Sequence, residues 1–200
     1  MVDIPTPALL IDLDVFERNL ATMRDACRAR GRLYRPHGKA HKSPIIAKEQ
    51  LEYGAHGQCA AKLGEAEVLV HGGIKEVLIT APVVGRRKIE RLLALAEIAP
   101  DIKVVVDSPQ NINELSTAAV AKGRKLKVLI DVNVGQNRTG VDSAEMPSFW
   151  RARSGRRKGS SSRVFKPMAA RQHWTPRWTV FRWAFPAGGL APCKSFRALK

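Results

Sequence analysis

The feature that most constrains this chain is a regular exchange, over its first 143 residues, between short apolar runs and longer segments of helical period. KVVVD and KVLIDV are continuously apolar and rich in β-branched residues, as strands covered on both faces are. LYRPH, GQCAA, EVLITA, KVVVD and KVLIDVNV give five core strands about every 20 to 25 residues, preceded by ALLIDL as a short buried strand. Helix signals fill the gaps. Asp14 opens VFERNLATMRDACRARG, with apolar residues at Val15, Leu20, Met23 and Cys27 and Gly31 at the stop. Ser43 and Pro44 open IIAKEQLEY, which Gly54 closes; KLGEAEVLVHGG, RRKIERLLALAEIA and SPQNINELSTAAVAKG follow. The fold class is therefore α/β, with a parallel sheet built from right-handed βα crossovers.

Two architectures share that pattern. An open dinucleotide-binding sheet carries a glycine fingerprint after its first strand, and RPHGKAHK supplies only Gly38. The expectation is a partial (β/α)8 barrel of about five units. Function in a barrel gathers where strands run into the following loops, and the unusual polar residues fall there: 35–42, 58–62, Thr80, Asp107 and 133–138.

The densest cluster is RPHGKAHK, with two His, one Arg and two Lys at a strand end. Lys39 sits among like charges, the setting in which an amine becomes nucleophilic, as an imine-forming lysine requires. Gly38 would let a ligand approach the backbone closely. The plainer alternative is a solvated basic loop or a phosphate patch without covalent chemistry. His37 and His41 are four apart, as two metal ligands on a helix would be, but Pro36 and Gly38 oppose a helix here. The second cluster, DVNVGQNRTG, holds Arg138 as a donor to an oxyanion or phosphate, with glycines opening the backbone. It lacks the lysine of a phosphate-binding loop for nucleoside triphosphates; a plain turn with an exposed arginine is its alternative.

Charge separates the chain in two. The 34 Lys+Arg and 18 Asp+Glu give +16 overall, but residues 1–143 hold 21 basic and 17 acidic side chains, net +4, and residues 144–200 hold 13 and one, net +12. All four tryptophans and five of six phenylalanines lie at or beyond Phe149, and no Ile, Asn, Asp or Tyr follows Ser143. That bias is expected of GC-rich coding DNA read in a wrong frame, so 144–200 is expected to be an unrelated, disordered basic tail. A basic arm for single-stranded nucleic acid is the competing reading, disfavoured by the lack of spacing between its aromatics. Cys27, Cys59 and Cys193 are odd in number and lack a CxxC pair, which suits a reduced, cytoplasmic setting without disulfide or zinc framework. MVDIPTP is no secretory signal, and no apolar run reaches the roughly 18 residues of a membrane span.

In the order TPALLIDLD, RPHGKAHKSP, AKLGEAEVLVHGG, EVLITAPVVG and DVNVGQNRTGV, residues 4–142 resemble the N-terminal barrel of the pyridoxal-phosphate enzymes related to alanine racemase, and within them the D-threonine aldolase and D-serine dehydratase branch. The resemblance implies that Lys39 holds pyridoxal 5'-phosphate covalently as an imine. It implies that Arg138 approaches the cofactor's phenolic oxygen and that Gln58 flanks the ring, with His37, Arg35 and Asn137 in support. The implied substrate is a small D-β-hydroxy amino acid, cleaved between Cα and Cβ by an aldolase or dehydrated by a dehydratase. The full-length family uses a divalent metal whose ligands lie in a C-terminal domain, and it forms homodimers. His173 and Cys193 do not match that metal motif, so no metal ligand is assigned here. Without the later barrel units the chain is expected to show little or no lyase activity and to leave both sheet edges unpaired. A non-catalytic carrier of the same cofactor is a further alternative.

Overall fold

The computed structural model describes residues 4–133 and 137–142, and the backbone of 165–167. Helices and strands alternate: α1 (Leu13–Arg28), α2 (Pro44–Glu52), β1 (Gln58–Ala60), α3 (Leu63–His71), β2 (Val77–Ile79), α4 (Arg86–Ile98), β3 (Lys103–Val106), α5 (Pro109–Ala121), β4 (Lys127–Ile130) and β5 (Phe165–Pro167). The strands form one sheet in the order β1-β2-β3-β4-β5, and every neighbouring pair is parallel. Each strand pairs with the next in sequence, with no reversal of order. A doubly wound sheet must reverse at a switch point, whereas a barrel does not, so the sheet follows the barrel progression.

The sheet is buried on both faces. Ala60, Val77, Ile79, Val104, Val106 and Ile130 pack beneath α3, α4 and α5 in the main core. Cys59, Leu78, Val105 and Leu129, which alternate with them, form a second cluster on the other face. Leu92 of α4 is completely buried, a side chain whose burial contributes about 2 kcal/mol.

Helix starts follow capping chemistry. Ser43 Oγ accepts from Ile46 N–H with Pro44 in the first turn, the arrangement the sequence predicts. In α1 the cap is Asp12, whose Oδ1 accepts from Val15 N–H at 3.0 Å. Asp14 lies inside the first turn instead, a correction of two residues to the expected start.

Two expected strands differ. ALLIDL is not a strand: Leu9, Leu10 and Ile11 are exposed, because among the described residues no ladder partner lies beside them. LYRPH is reduced to a single bridge between His37 and Cys59. Tyr34 and Pro36 accept from His56 and Cys59 N–H, but Pro36 has no N–H to return. At the other side, the expected unpaired edge at KVLIDV is covered, since β4 pairs with β5 over three residues. Pro167 in β5 suits an outermost strand. The rest of the expected tail, residues 144–164 and 168–200, lies outside the described residues.

Candidate active site

Because β1 to β4 run parallel, the chain leaves all of them at one edge of the sheet. The 37–43 segment, which follows the bridge to Cys59, belongs to that edge too, and it is pinned through its own side chains. Gly38–Ala40 forms a 3-10 turn. His37 Nδ1 accepts from Lys39 N–H at 3.4 Å, His41 Nδ1 accepts from Ser43 N–H at 3.1 Å, and Lys42 N–H donates to Gly38 O at 2.7 Å. Lys42 has φ 54°, a left-handed conformation uncommon for a residue with a side chain. Lys39 is exposed, and its side chain forms no ion pair among the described residues. Gly38 serves packing: a Cβ there would sit 3.2 Å from Leu69 Cδ1 and 3.4 Å from Cys59 O. Its small size lets the turn lie on α3 and β1 rather than opening it to a ligand.

His37 is half-buried and reaches across to Thr80, just past β2, with Nε2 3.2 Å from Thr80 Oγ1. Thr80 Oγ1 donates in turn to Ala60 O at 3.0 Å. Burial pushes both His37 and His41 below the ordinary histidine value; at His37 the Lys39 cation adds to burial and Glu65 opposes it. Both shifts favour the neutral ring, the form that accepts a backbone N–H at Nδ1. Glu65 also closes the edge beside them, accepting from Ala61 N–H at 2.8 Å.

The segment after β4 forms a second knot. Asn133 Nδ2 donates to Asn137 Oδ1 at 2.9 Å and to Asp142 Oδ1 at 3.0 Å, while Asn133 Oδ1 accepts from Asn137 N–H at 3.1 Å. Asn137 has φ 52°, a conformation asparagine tolerates better than most residues. A Cβ on Gly140, at φ 94°, would lie 2.6 Å from Asn133 N, so the loop can return beside β4 only with glycine there. Arg138 projects from this loop, exposed. Val134, Gly135 and Gln136 lie outside the described residues. Lys39 and Arg138 share an edge but stand at opposite sides of it, with β1, β2 and β3 between; at about 4.8 Å per strand, only curvature of the sheet brings them toward one another.

Two expected supports lie elsewhere. Arg35 belongs to the opposite, amino-terminal edge: its guanidinium donates to Glu76 O at 2.8 Å and to Glu76 Oε2 at 3.2 Å, and Lys103 Nζ meets the same oxygen at 2.7 Å. Its role is to bind the chain before β1 to the starts of β2 and β3. Gln58 opens β1, fully buried, and donates to Gln50 Oε1 of α2 at 2.7 Å. It faces the helix layer, not the carboxyl edge. Thr80 stood out in the sequence only as a polar residue ending an apolar run; its bond to His37, 43 residues away, leaves no local signal. Among the described residues, no three His, Cys, Asp or Glu side chains gather as a metal-binding group. No helix among them is long and apolar enough to cross a membrane.

The comparisons with known proteins agree with this parallel α/β fold. Residues 11–165 match the family model of the alanine racemase N-terminal domain, and the chain belongs to that family. It is 42% identical over 144 residues to 3-hydroxy-D-aspartate aldolase of Paracoccus denitrificans, covering 72% of this chain and 37% of that one. The crystal structure of D-threonine aldolase from Filomicrobium marinum superposes with a TM-score of 0.67 at 48% identity, over 70% of this chain and 37% of the other. D-threo-3-hydroxyaspartate dehydratase from Delftia sp. HT23 gives a TM-score of 0.68 at 30% identity, over 74% and 40%. The chain thus spans little more than a third of the length of these relatives, and the expected resemblance to the aldolase and dehydratase branch holds.

Proposed function

We propose that this chain is the cofactor-binding portion of a pyridoxal phosphate-dependent lyase for D-β-hydroxy amino acids, whose reaction is cleavage of D-threonine to glycine and acetaldehyde. The observation that carries the reading is the Lys39 amine, exposed and unpaired among the described side chains, on a loop fixed by the neutral rings on either side of it. The donor set suits the group: a lysine able to condense with its aldehyde, the Lys42 cation on the same loop for an anionic ligand, and the Arg138 cation across the same edge. When bound, pyridoxal phosphate acts as the electron sink for the carbanion left at Cα. The residues proposed to hold it are Lys39 by covalent attachment, Arg138 by its fixed charge, and His37 and Asn137 as supports of the two loops. Gln58 contributes from a distance, by fixing Gln50 of α2 behind the 37–43 segment.

In this reading residues 1–143 belong to the barrel and 144–200 are a tail of separate origin. Translating the coding DNA in its other two frames beyond codon 143 tests that division: a sixth barrel unit and a histidine-bearing metal motif support it, and finding neither sinks it. The site itself is tested by incubating the chain with pyridoxal phosphate, reducing with borohydride and mapping the pyridoxyl group by mass spectrometry. One group on Lys39, lost entirely in Lys39→Ala without a change in melting temperature, is the expected result; labelling scattered over surface lysines would overturn it.

Similarity to the Delftia dehydratase favours a second reading, elimination of water from the same substrate class. It is separated from the first by whether D-threonine yields an aldehyde or a 2-oxo acid once the chain is joined to a complete barrel. A carrier that binds the cofactor without turnover would label at Lys39 and give neither product. A nucleic-acid-binding tail predicts salt-sensitive affinity that disappears when residues 144–200 are deleted, while Lys39 labelling is unchanged.

A further inference from the structure

We propose that Thr80 is a positioning residue that sets the tautomer of His37 and through it the backbone of Lys39; its consequence for cofactor binding rests on the function proposed above. The hydrogen-bond chain admits one consistent placement of protons. His37 Nδ1 faces Lys39 N–H, so it carries a lone pair, and a neutral ring must then hold its proton on Nε2. Nε2–H therefore donates to Thr80 Oγ1. Thr80 can accept because its own single proton is directed to Ala60 O. That carbonyl also accepts from Thr80 N–H at 2.8 Å, so the hydroxyl is anchored to the β1–β2 ladder at both its side chain and its backbone. The sequence of donors runs Lys39 N–H to His37, His37 Nε2–H to Thr80, and Thr80 O–H to Ala60, without a break or a surplus proton. Rigid strands fix the far end of this chain, and the residue at its near end is the lysine.

The Lys39 and Glu65 side chains act on the ring by charge, while the Lys39 N–H at Nδ1 and the Thr80 acceptor at Nε2 favour the same tautomer. A neutral–neutral hydrogen bond changes such a preference roughly threefold to tenfold.

The test is long-range 1H–15N NMR of the full chain with labelled histidine, the His37 signal being assigned by its disappearance in His37→Gln. The wild-type ring is expected to be protonated at Nε2. In Thr80→Val, which keeps the shape and removes the acceptor, the Nδ1–H form should gain roughly threefold to tenfold, and Thr80→Ser should restore the wild-type pattern. Borohydride-trapped labelling of Lys39 by pyridoxal phosphate should fall severalfold in Thr80→Val and recover in Thr80→Ser. A wild-type ring protonated at Nδ1 overturns the proposal, and this needs no variant to fold. So does a Thr80→Val tautomer unchanged from wild type, or an altered tautomer with labelling intact. If wild-type chain takes up no label, the function proposed above fails, while the NMR comparison still decides the role of Thr80.

Discussion

Residues 57–130 and residues 4–36 contain comparable apolar segments and bury them very differently. In the first, Leu78, Ile79, Val104, Val105 and Val106 are 0–6% exposed and α4 alone buries Ile89, Leu92, Leu93, Leu95 and Ala96. In the second, Leu9 is 101% exposed, Leu10 75%, and α1 buries only Leu20. Amphipathicity does not explain the contrast, because α1 is well patterned and capped. Position in the sheet does. A central strand is covered by a neighbour on each side and a helix layer above, and β2 and β3 have all three. In a barrel the first unit closes against the last, so its burial depends on residues far away in sequence, and its own pattern cannot supply them.

The largest expected effect tests that contrast directly. Leu92→Ala, in the fully buried stretch of α4, should lower unfolding free energy by about 2–5 kcal/mol. Leu10→Ala removes a similar volume from an exposed site and should stay within about 0.5 kcal/mol. Urea denaturation of both variants measures the difference. Equal losses would mean that residues 4–36 are packed in solution as well as 57–130, and the comparison would collapse.

Next in size is the seam between the two regions. Gly57 has φ 150°, and a Cβ there would lie 2.0 Å from Arg35 Nη1 and 2.4 Å from Glu76 O. Those are the partners that tie the first region to the second, so Gly57→Ala must displace either the guanidinium or the β2 approach. An expected loss of about 1–3 kcal/mol should be accompanied by faster hydrogen exchange at His56 and Cys59, whose amides bond to Tyr34 and Pro36. Unchanged exchange at those two amides would show that the seam does not hold residues 34–36 in place.

What could be read from the sequence divides along the same line. Helices α2 to α5 and strands β1 to β4 are legible because their signals are local: Ser43 before Pro44, and β-branched runs such as KVVV. The faces of those strands are not. A strand apolar on both sides offers no alternation to show which parity faces the helices, and nothing local in GQCAA reveals that Gln58 turns to Gln50 of α2. Arg35 and His37 show the other limit. Both have polar side chains near one strand end, two residues apart, yet one binds Glu76 at the amino edge and the other Thr80 at the carboxyl edge. Only the register against β1 and β2 decides this, and register is a long-range property.

The smallest effect concerns the charge at the seam. Burial pushes the Glu76 carboxyl upward, but the hydrogen bond and charge of Lys103, joined by those of Arg35, outweigh it and hold Glu76 below the usual glutamate range. A carboxylate depressed in the folded state contributes stability that is present above its unfolded value and is lost as pH falls through the folded one. Wild-type protein should therefore lose stability on acidification through the carboxylate range. Glu76→Gln should be less stable at neutral pH and show a shallower acid slope, so that the two curves converge at low pH. The carboxylate is about a third exposed, with side-chain exposure of 32%, so solvent screening keeps the gap small. Added salt should narrow it further at neutral pH. Parallel curves with a constant offset would mean that Glu76 holds the seam by shape and by its backbone carbonyl, not by its charge.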